Sequence, residues 1–239
     1  MNSILLILLT ASTASILLTL ALLRLRTVLS RPKPTPKKRR GKHAHLCIVL
    51  GSGGHTAEML SMLRRSGIAW KDFSHRTWIV SSGDALSAAR AKEFEEEQTP
   101  AQGEKKGALG NYRIETVPRA REIHQPLYTA PFSCLRCAWK CIRVLRGKEG
   151  RYGYPDVILC NGPATATIVV LTGVVMRFLG FGQREGKMRT VYVESWARVK
   201  KASLSGLLLA RVVERFVVQW PQMEEVMGRR TEFGGVLVG

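Results

Sequence analysis

His45-Leu-Cys-Ile-Val-Leu-Gly-Ser-Gly-Gly-His55, running on into Thr56-Ala-Glu-Met-Leu60, decides the fold. Five apolar residues after His45 make a short β-rich run, as in a strand buried on both faces. Four small residues then turn the chain, and Thr56 to Arg65 carries a helical period. Strand, glycine loop and helix are the first unit of a doubly wound sheet.

The same alternation continues downstream. Arg76 to Ser81 reads as a strand, and Asp84 caps a helix through Glu97. The polar stretch from Gln98 to Gly110 is expected to be a loop. Tyr112 to Val117, Asp156 to Cys160, Thr190 to Glu194 and Phe216 to Gln219 supply four more strands, and Pro126 to Arg146 a long helix. Phe233 to Val238 is too short to assign. The expectation is an α/β fold, a single Rossmann-like domain over 44–239 with a mostly parallel sheet.

Two stretches carry a membrane question. Val157 to Met176 holds twenty uncharged residues, but Asn161-Gly-Pro163 interrupts it after five. A buried strand, a turn and an apolar helix over 163–181 fit better than a second span. In the long helix 126–146, Arg136, Lys140 and Arg143 occupy one narrow arc. Cys134, Ala138, Cys141 and Leu145 lie opposite. That pattern suits an anionic membrane surface and an ordinary solvated helix equally.

Asn2 to Leu23 carries no charge, long enough to cross a bilayer as a helix. Nine basic residues and no acid follow between Arg24 and Lys42. The positive-inside rule then places the N-terminus outside the cytosol and everything after Leu23 within it. A cleaved signal peptide would need a charged leading region, which is missing. Residues 24–43, with three prolines, read as a basic cytosolic tether.

The chain has 239 residues and a net charge of +19, of which the tether supplies about half. The remainder suits anionic headgroups or phosphorylated substrates. No zinc-finger spacing, basic zipper or aromatic RNA-binding signature accompanies it, so nucleic acid is not an expected partner. Five cysteines are an odd number for a disulfide framework, and Cys134-x-x-Cys137 lacks a second ligand pair. Core packing or lipid contact is expected there, and no metal.

The loop Gly51, Ser52, Gly53, Gly54 and His55 lets the backbone approach an anion at a helix N-terminus. It is neither G-x-G-x-x-G nor a lysine-bearing P-loop. Ser81-Ser-Gly83 ends the second strand where a ribose-binding acid would stand, so no dinucleotide cofactor is expected. A phosphate or diphosphate without a nucleoside fits. His55 reads as a catalytic base, as an orienting group, or as a simple helix cap. Asn161 ends the fourth strand and Glu194 the fifth, at the edge where open α/β sheets bind ligands. Glu194 reads as a weaker catalytic candidate or as a structural partner of Arg198.

Taken in order, Val49-Leu-Gly-Ser-Gly-Gly-His-Thr-Ala-Glu-Met-Leu60, Trp78-Ile-Val-Ser-Ser-Gly-Asp84, Pro155-Asp-Val-Ile-Leu-Cys-Asn-Gly-Pro163, Tyr192-Val-Glu-Ser-Trp-Ala-Arg198 and Gln219-Trp-Pro221 resemble one family closely. It is the membrane-anchor subunit of the two-chain UDP-N-acetylglucosamine transferase of asparagine-linked glycosylation, protein fourteen of that pathway. The resemblance implies the acceptor-side half of a two-Rossmann-domain glycosyltransferase, like the bacterial lipid II-forming enzyme. The partner would be a soluble catalytic subunit, protein thirteen of the pathway, that binds UDP-N-acetylglucosamine. The pair would extend dolichyl-diphosphate-N-acetylglucosamine at the cytosolic face of the endoplasmic reticulum membrane.

Carried across, the glycine loop would hold the lipid acceptor's diphosphate, Asn161, Glu194 and Arg198 would lie near the inter-chain cleft, and Phe233, Val236, Leu237 and Val238 would dock the partner. Two rivals stand beside this reading. One is a self-sufficient tethered transferase or hydrolase, against which the single domain and the missing G-x-S-x-G elbow argue. The other is a scaffold without chemistry.

Overall fold

A computed structural model describes residues 3–30, 44–98, 110–122, 124–147, 153–182, 186–228 and 231–237. Seven parallel strands form one sheet in the order β3-β2-β1-β4-β5-β6-β7. In chain order they are β1 (Ala44–Val49), β2 (Phe73–Ser81), β3 (Asn111–Val117), β4 (Val157–Asn161), β5 (Arg189–Val193), β6 (Arg215–Val218) and β7 (Glu232–Phe233). The first six follow the doubly wound order, with its reversal between β1 and β4. All six strand positions expected from sequence are strands, shifted by up to three residues.

Alternate strand residues feed two cores. Cys47, Val49, Ile79, Ile158 and Cys160 point to one side of the sheet. There they meet α4 (Ala130–Arg146), α5 (Thr165–Phe178) and α6 (Leu204–Leu209). Leu46, Ile48, Leu50, Trp78 and Val80 point to the other, against α2 (Gly54–Arg65) and α3 (Ala85–Gln98). A period of two in the strands thus sorts the helices into two layers. The fold is a single α/β domain. Burial in the first core pushes the Cys47 thiol up to about 12, and Cys137 and Cys141 are fully buried there. These cysteines are packing residues.

Local chemistry sets the helix ends. Asp84 caps α3, its Oδ1 accepting from Ser87 N at 3.1 Å. The long helix begins at Ala130 rather than Pro126, because 126–129 close a turn in which Thr129 N donates to Pro126 O at 3.2 Å. The stretch 163–181 does contain an apolar helix, α5, with Val169 and Val170 fully buried. Neither α6 nor α7 (Pro221–Met227) was expected from sequence. Most of the loop after α3 (99–109), most of the expected tether (31–43) and Val238 lie outside the described residues.

Helix α1 (Ser3–Leu29) is long and apolar enough to cross a membrane, with a mean hydropathy of 2.3 over an 18-residue stretch within Leu5–Leu29. It runs one and a half turns past the uncharged segment, and its last turns are seated on α5. Arg24 Nε and Nη2 donate to the carbonyls of Phe178 and Arg177 at 3.0 and 2.9 Å. Arg177 Nη2 donates to Val28 O at 2.8 Å. Each helix thus supplies an arginine to carbonyls in the other's last turn. Val28 is buried, and Arg177 also forms an ion pair with Glu214, whose Oε2 accepts from Thr190 N at 2.8 Å.

At the same amino-terminal end of the strands His45 is buried, its Nε2 2.8 Å from Thr77 Oγ1. Burial, then the charges of Arg113 and His75, lower its pKa to about 4. A histidine with a depressed folded pKa contributes stability above its unfolded value that is lost as pH falls toward the folded one. Acidification from pH 6.5 to 4 is therefore expected to cost about 3 kcal/mol through this residue. Urea titrations across that window check it, since His45→Gln should flatten the loss.

Candidate functional site

The carboxyl edge of the sheet at the β1–β4 reversal is built around His55. Gly53 takes φ 63°, ψ −122° at the N-cap of α2, a conformation that favours glycine. Gly51 and Gly162 are small for a different reason. A Cβ on Gly51 would stand 2.7 Å from His55 Cβ, and one on Gly162 3.1 Å from His55 Cγ. The imidazole is wedged between the ends of β1 and β4.

The loop is braced from behind. Thr56 Oγ1 donates to Gly51 O and lies 2.6 Å from Ser87 Oγ, which donates to Asp84 Oδ2 at 2.7 Å. Its own amides are left over. The N–H groups of Ser52, Gly53, Gly54 and His55 have no acceptor among the described residues, while Thr56 N turns back to Gly53 O at 3.2 Å. Four consecutive free amides at a helix N-terminus are a backbone arrangement that can hold an anion.

The carboxylate that faces His55 is Glu58, one helical turn along α2. Its Oε2 lies 3.5 Å from His55 Nδ1, a little long for a hydrogen bond, and accepts from Asn161 Nδ2 at 2.9 Å. Its Oε1 accepts from Ser195 Oγ at 2.8 Å. Burial alone would raise the Glu58 carboxyl; the contacts from His55, Ser195 and Asn161 outweigh it and hold it below the usual glutamate range. Glu58 thereby links the glycine loop to the ends of β4 and β5. With Nδ1 turned to Glu58, His55 keeps Nε2 for a ligand. Asn161 Oδ1 is buried with no donor among the described residues.

Glu194 stands elsewhere. It is buried, Oε1 accepting from Ser195 N at 3.0 Å and Oε2 from Ser203 N and Oγ at 3.1 and 3.0 Å. It holds the turn that starts α6 and makes no hydrogen bond or ion pair with His55 or Arg198. Arg198 is exposed in the loop after β5, with no ion pair among the described residues. Burial, then the Glu194 charge, push up the phenol of Tyr192, whose hydroxyl reaches Gly162 O at 3.4 Å.

The C-terminal segment is folded against the sheet. Gln219 Oε1 accepts from Leu237 N at 3.1 Å, and its Nε2 donates to Glu194 O at the same distance. Phe233 and Val236 are exposed, while Leu237 packs on the α2/α3 core. A second concavity of about 560 Å³ lies on the same edge, lined by Ser82, Arg119, Phe132 and Arg136 among others.

Sequence reading found the loop, His55 and Asn161 but passed over Glu58. The signal was present as His55-x-x-Glu58, the spacing that stacks two side chains on one helical face.

Comparison with known proteins follows the same residues. The sequence is 38% identical to the UDP-N-acetylglucosamine transferase subunit alg14 of Aspergillus fumigatus, over 75% of this chain and 100% of that one. It is 36% identical to the subunit of that name from Schizosaccharomyces pombe, over 84% and 86% of the two chains. Against UDP-N-acetylglucosamine transferase subunit ALG14 of Mus musculus it is 33% identical, over 97% and 99%. Among solved structures, Acinetobacter baumannii MurG aligns at 16% identity and a TM-score of 0.48, over 80% of this chain and 45% of that one. Residues 46–237 match the family described as "Oligosaccharide biosynthesis protein Alg14 like", and the chain belongs to that family.

Proposed function

We propose that this protein is the membrane-anchoring, acceptor-binding subunit of a UDP-N-acetylglucosamine transferase. The carrying observation is the cradle of four free amides with His55 and Glu58 beside it. α1 spans the endoplasmic reticulum membrane with its N-terminus lumenal, and the domain works in the cytosol. The cradle holds the diphosphate of dolichyl-diphosphate-N-acetylglucosamine. A soluble catalytic subunit brings UDP-N-acetylglucosamine, docking against Phe233, Val236, Leu237 and the residues beyond.

In the reaction a hydroxyl of the acceptor sugar attacks the anomeric carbon of the donor. The bond from that carbon to UDP breaks, and UDP leaves on the partner's side. The hydroxyl proton passes to His55 Nε2, with Glu58 stabilising the imidazolium that forms. Free amides beside the acceptor's diphosphate offset its charge and fix its position. Asn161 Oδ1 supplies an acceptor for a sugar donor group. Arg198 borders the cleft.

The test is transfer of radiolabelled N-acetylglucosamine from UDP onto dolichyl- or phytanyl-diphosphate-N-acetylglucosamine. Membranes carrying this chain are assayed with and without the soluble partner. Activity only with both is expected. Activity from this chain alone would overturn the half-enzyme reading, and silence with both would remove the acceptor role.

A further inference from the structure

The free amides and His55 leave the acceptor's sugar ring without a seat. Amides hold a diphosphate, but a pyranose joined to it still turns about the phosphoester bonds. Its hydroxyl meets His55 only when the ring is fixed. The same edge of the sheet carries two tryptophans. Trp196 follows β5 and Trp220 follows β6, with ring centroids 6.1 Å apart and planes inclined at 41°. Trp220 is partly buried against the first core, whereas Trp196 is 44% exposed.

Trp196 is held through its main chain. It stands second in a turn that Arg198 N closes by donating to Ser195 O at 2.9 Å. Ser195 Oγ accepts from Ala197 N at 3.3 Å and donates to Glu58 Oε1 at 2.8 Å. One hydroxyl thus ties the turn to the carboxylate that faces His55. From the other side Trp220 Nε1 donates to Trp196 O at 2.7 Å. Trp220 is itself fixed at the start of α7, where Pro221 opens the helix and Met223 N donates to Trp220 O at 3.1 Å. None of these bonds uses the Trp196 indole, whose N–H has no acceptor among the described residues.

An exposed, firmly held indole beside a loop of free amides has a definite chemistry. Its face is negative, and the ring C–H groups of a pyranose are weakly positive and can lie flat on it. Its N–H and the exposed Arg198 guanidinium donate to hydroxyl and acetamido oxygens. A protein partner fits this spot less well. Arg198, Lys200 and Lys201 follow Trp196 closely and are all exposed, and lysine is scarce at the centre of protein interfaces.

We propose that Trp196 is the platform on which the acceptor's N-acetylhexosamine ring lies, with Trp220 as the residue that positions it. This rests on the reading of the glycine loop as the acceptor-diphosphate site. Ser195 then couples two tasks. The carboxylate that orients His55 and the surface that orients the attacking hydroxyl are braced by one side chain.

The test uses the two-chain enzyme in membranes. Phytanyl-diphosphate-N-acetylglucosamine is the acceptor, and phytanyl diphosphate, which lacks the sugar, is the competitor. Trp196→Ala is expected to raise the acceptor KM about tenfold, the worth of one good aromatic contact. The inhibition constant of phytanyl diphosphate should stay as it is in wild type. Trp196→Tyr, which keeps a ring face, should recover most of the loss. Trp220→Phe keeps its ring but not its N–H, and should shift KM the same way by less. An unchanged KM in Trp196→Ala would overturn the platform, and so would equal losses for acceptor and sugar-free competitor. Release of the soluble partner from the Trp196→Ala membranes would overturn it too, because the indole would then belong to the contact between the chains. A wild-type enzyme that phytanyl diphosphate fails to inhibit would remove the diphosphate site itself, and the platform with it, before any substitution is made.

Discussion

Replacing His55 by alanine is expected to lower transfer by the two-chain enzyme about 10²- to 10⁴-fold, the range for removing a positioned general base. Recruitment of the soluble partner to membranes should be unchanged, because the side chain sits in the strand-edge cleft and not on the C-terminal segment. Glu58→Gln keeps the shape of its side chain and can still accept from Asn161 Nδ2, with its NH2 turned to Ser195 Oγ as donor, but removes the charge opposite Nδ1. It should reduce the rate less and move the pH–rate profile. Gly51→Ala tests the same point sterically, since the new methyl would crowd His55 Cβ at 2.7 Å. Full activity in His55→Ala would leave the chain a scaffold with a phosphate-shaped ornament.

The largest effect on stability is expected from Arg177→Met. The methionine keeps much of the apolar stem but leaves the Glu214 carboxylate nearly buried without its cation, and Val28 O without its donor. Breaking such a pair from one side typically costs about 3–5 kcal/mol. In a domain of this size that lowers the melting temperature by about 10 °C. Adding Glu214→Gln should recover a large part of the loss, because the amide restores neutrality and still accepts from Thr190 N. Melting of the detergent-solubilised full chain is the measurement. A single variant that melts with wild type would mean the pair carries no weight.

What the sequence displayed follows from periodicity. Runs such as Ala44–Val49 and Val157–Asn161 could only be strands, because glycine loops cut them before a helix could grow. Their alternation fixed the parallel sheet, and the first loop marked where free amides would stand at a helix N-terminus. Contacts between distant residues were illegible. Glu58 becomes meaningful only when Asn161 and Ser195 arrive beside it. Glu194 showed its position at a strand end but not that Ser203 would occupy it. α6 escaped because Leu204–Leu209 is six residues, too short to show a period and holding Ser205 and Gly206, and Ser203, which caps it, follows two lysines closely. On α4 the sequence showed a cationic arc and a cysteine face. It left core packing and lipid contact both open for the cysteines, and it did not pick out Phe132, Leu135 and Trp139 as the exposed row.

The reciprocal arginine seat between α1 and α5 has a consequence in time. Arg24 and Phe178 are 154 residues apart, so at ribosomal speed α5 emerges about 8–30 s after α1. On the proposed reading of α1 as a membrane span, the helix enters the bilayer long before its seat exists, and Arg24 waits unpaired. The lipid would then fix the starting orientation, and the sheet would assemble against a helix already immobilised. Mutations that slow the closing of β4 and α5 should appear first as chains inserted correctly but cleared by quality control, ahead of any loss of catalytic competence.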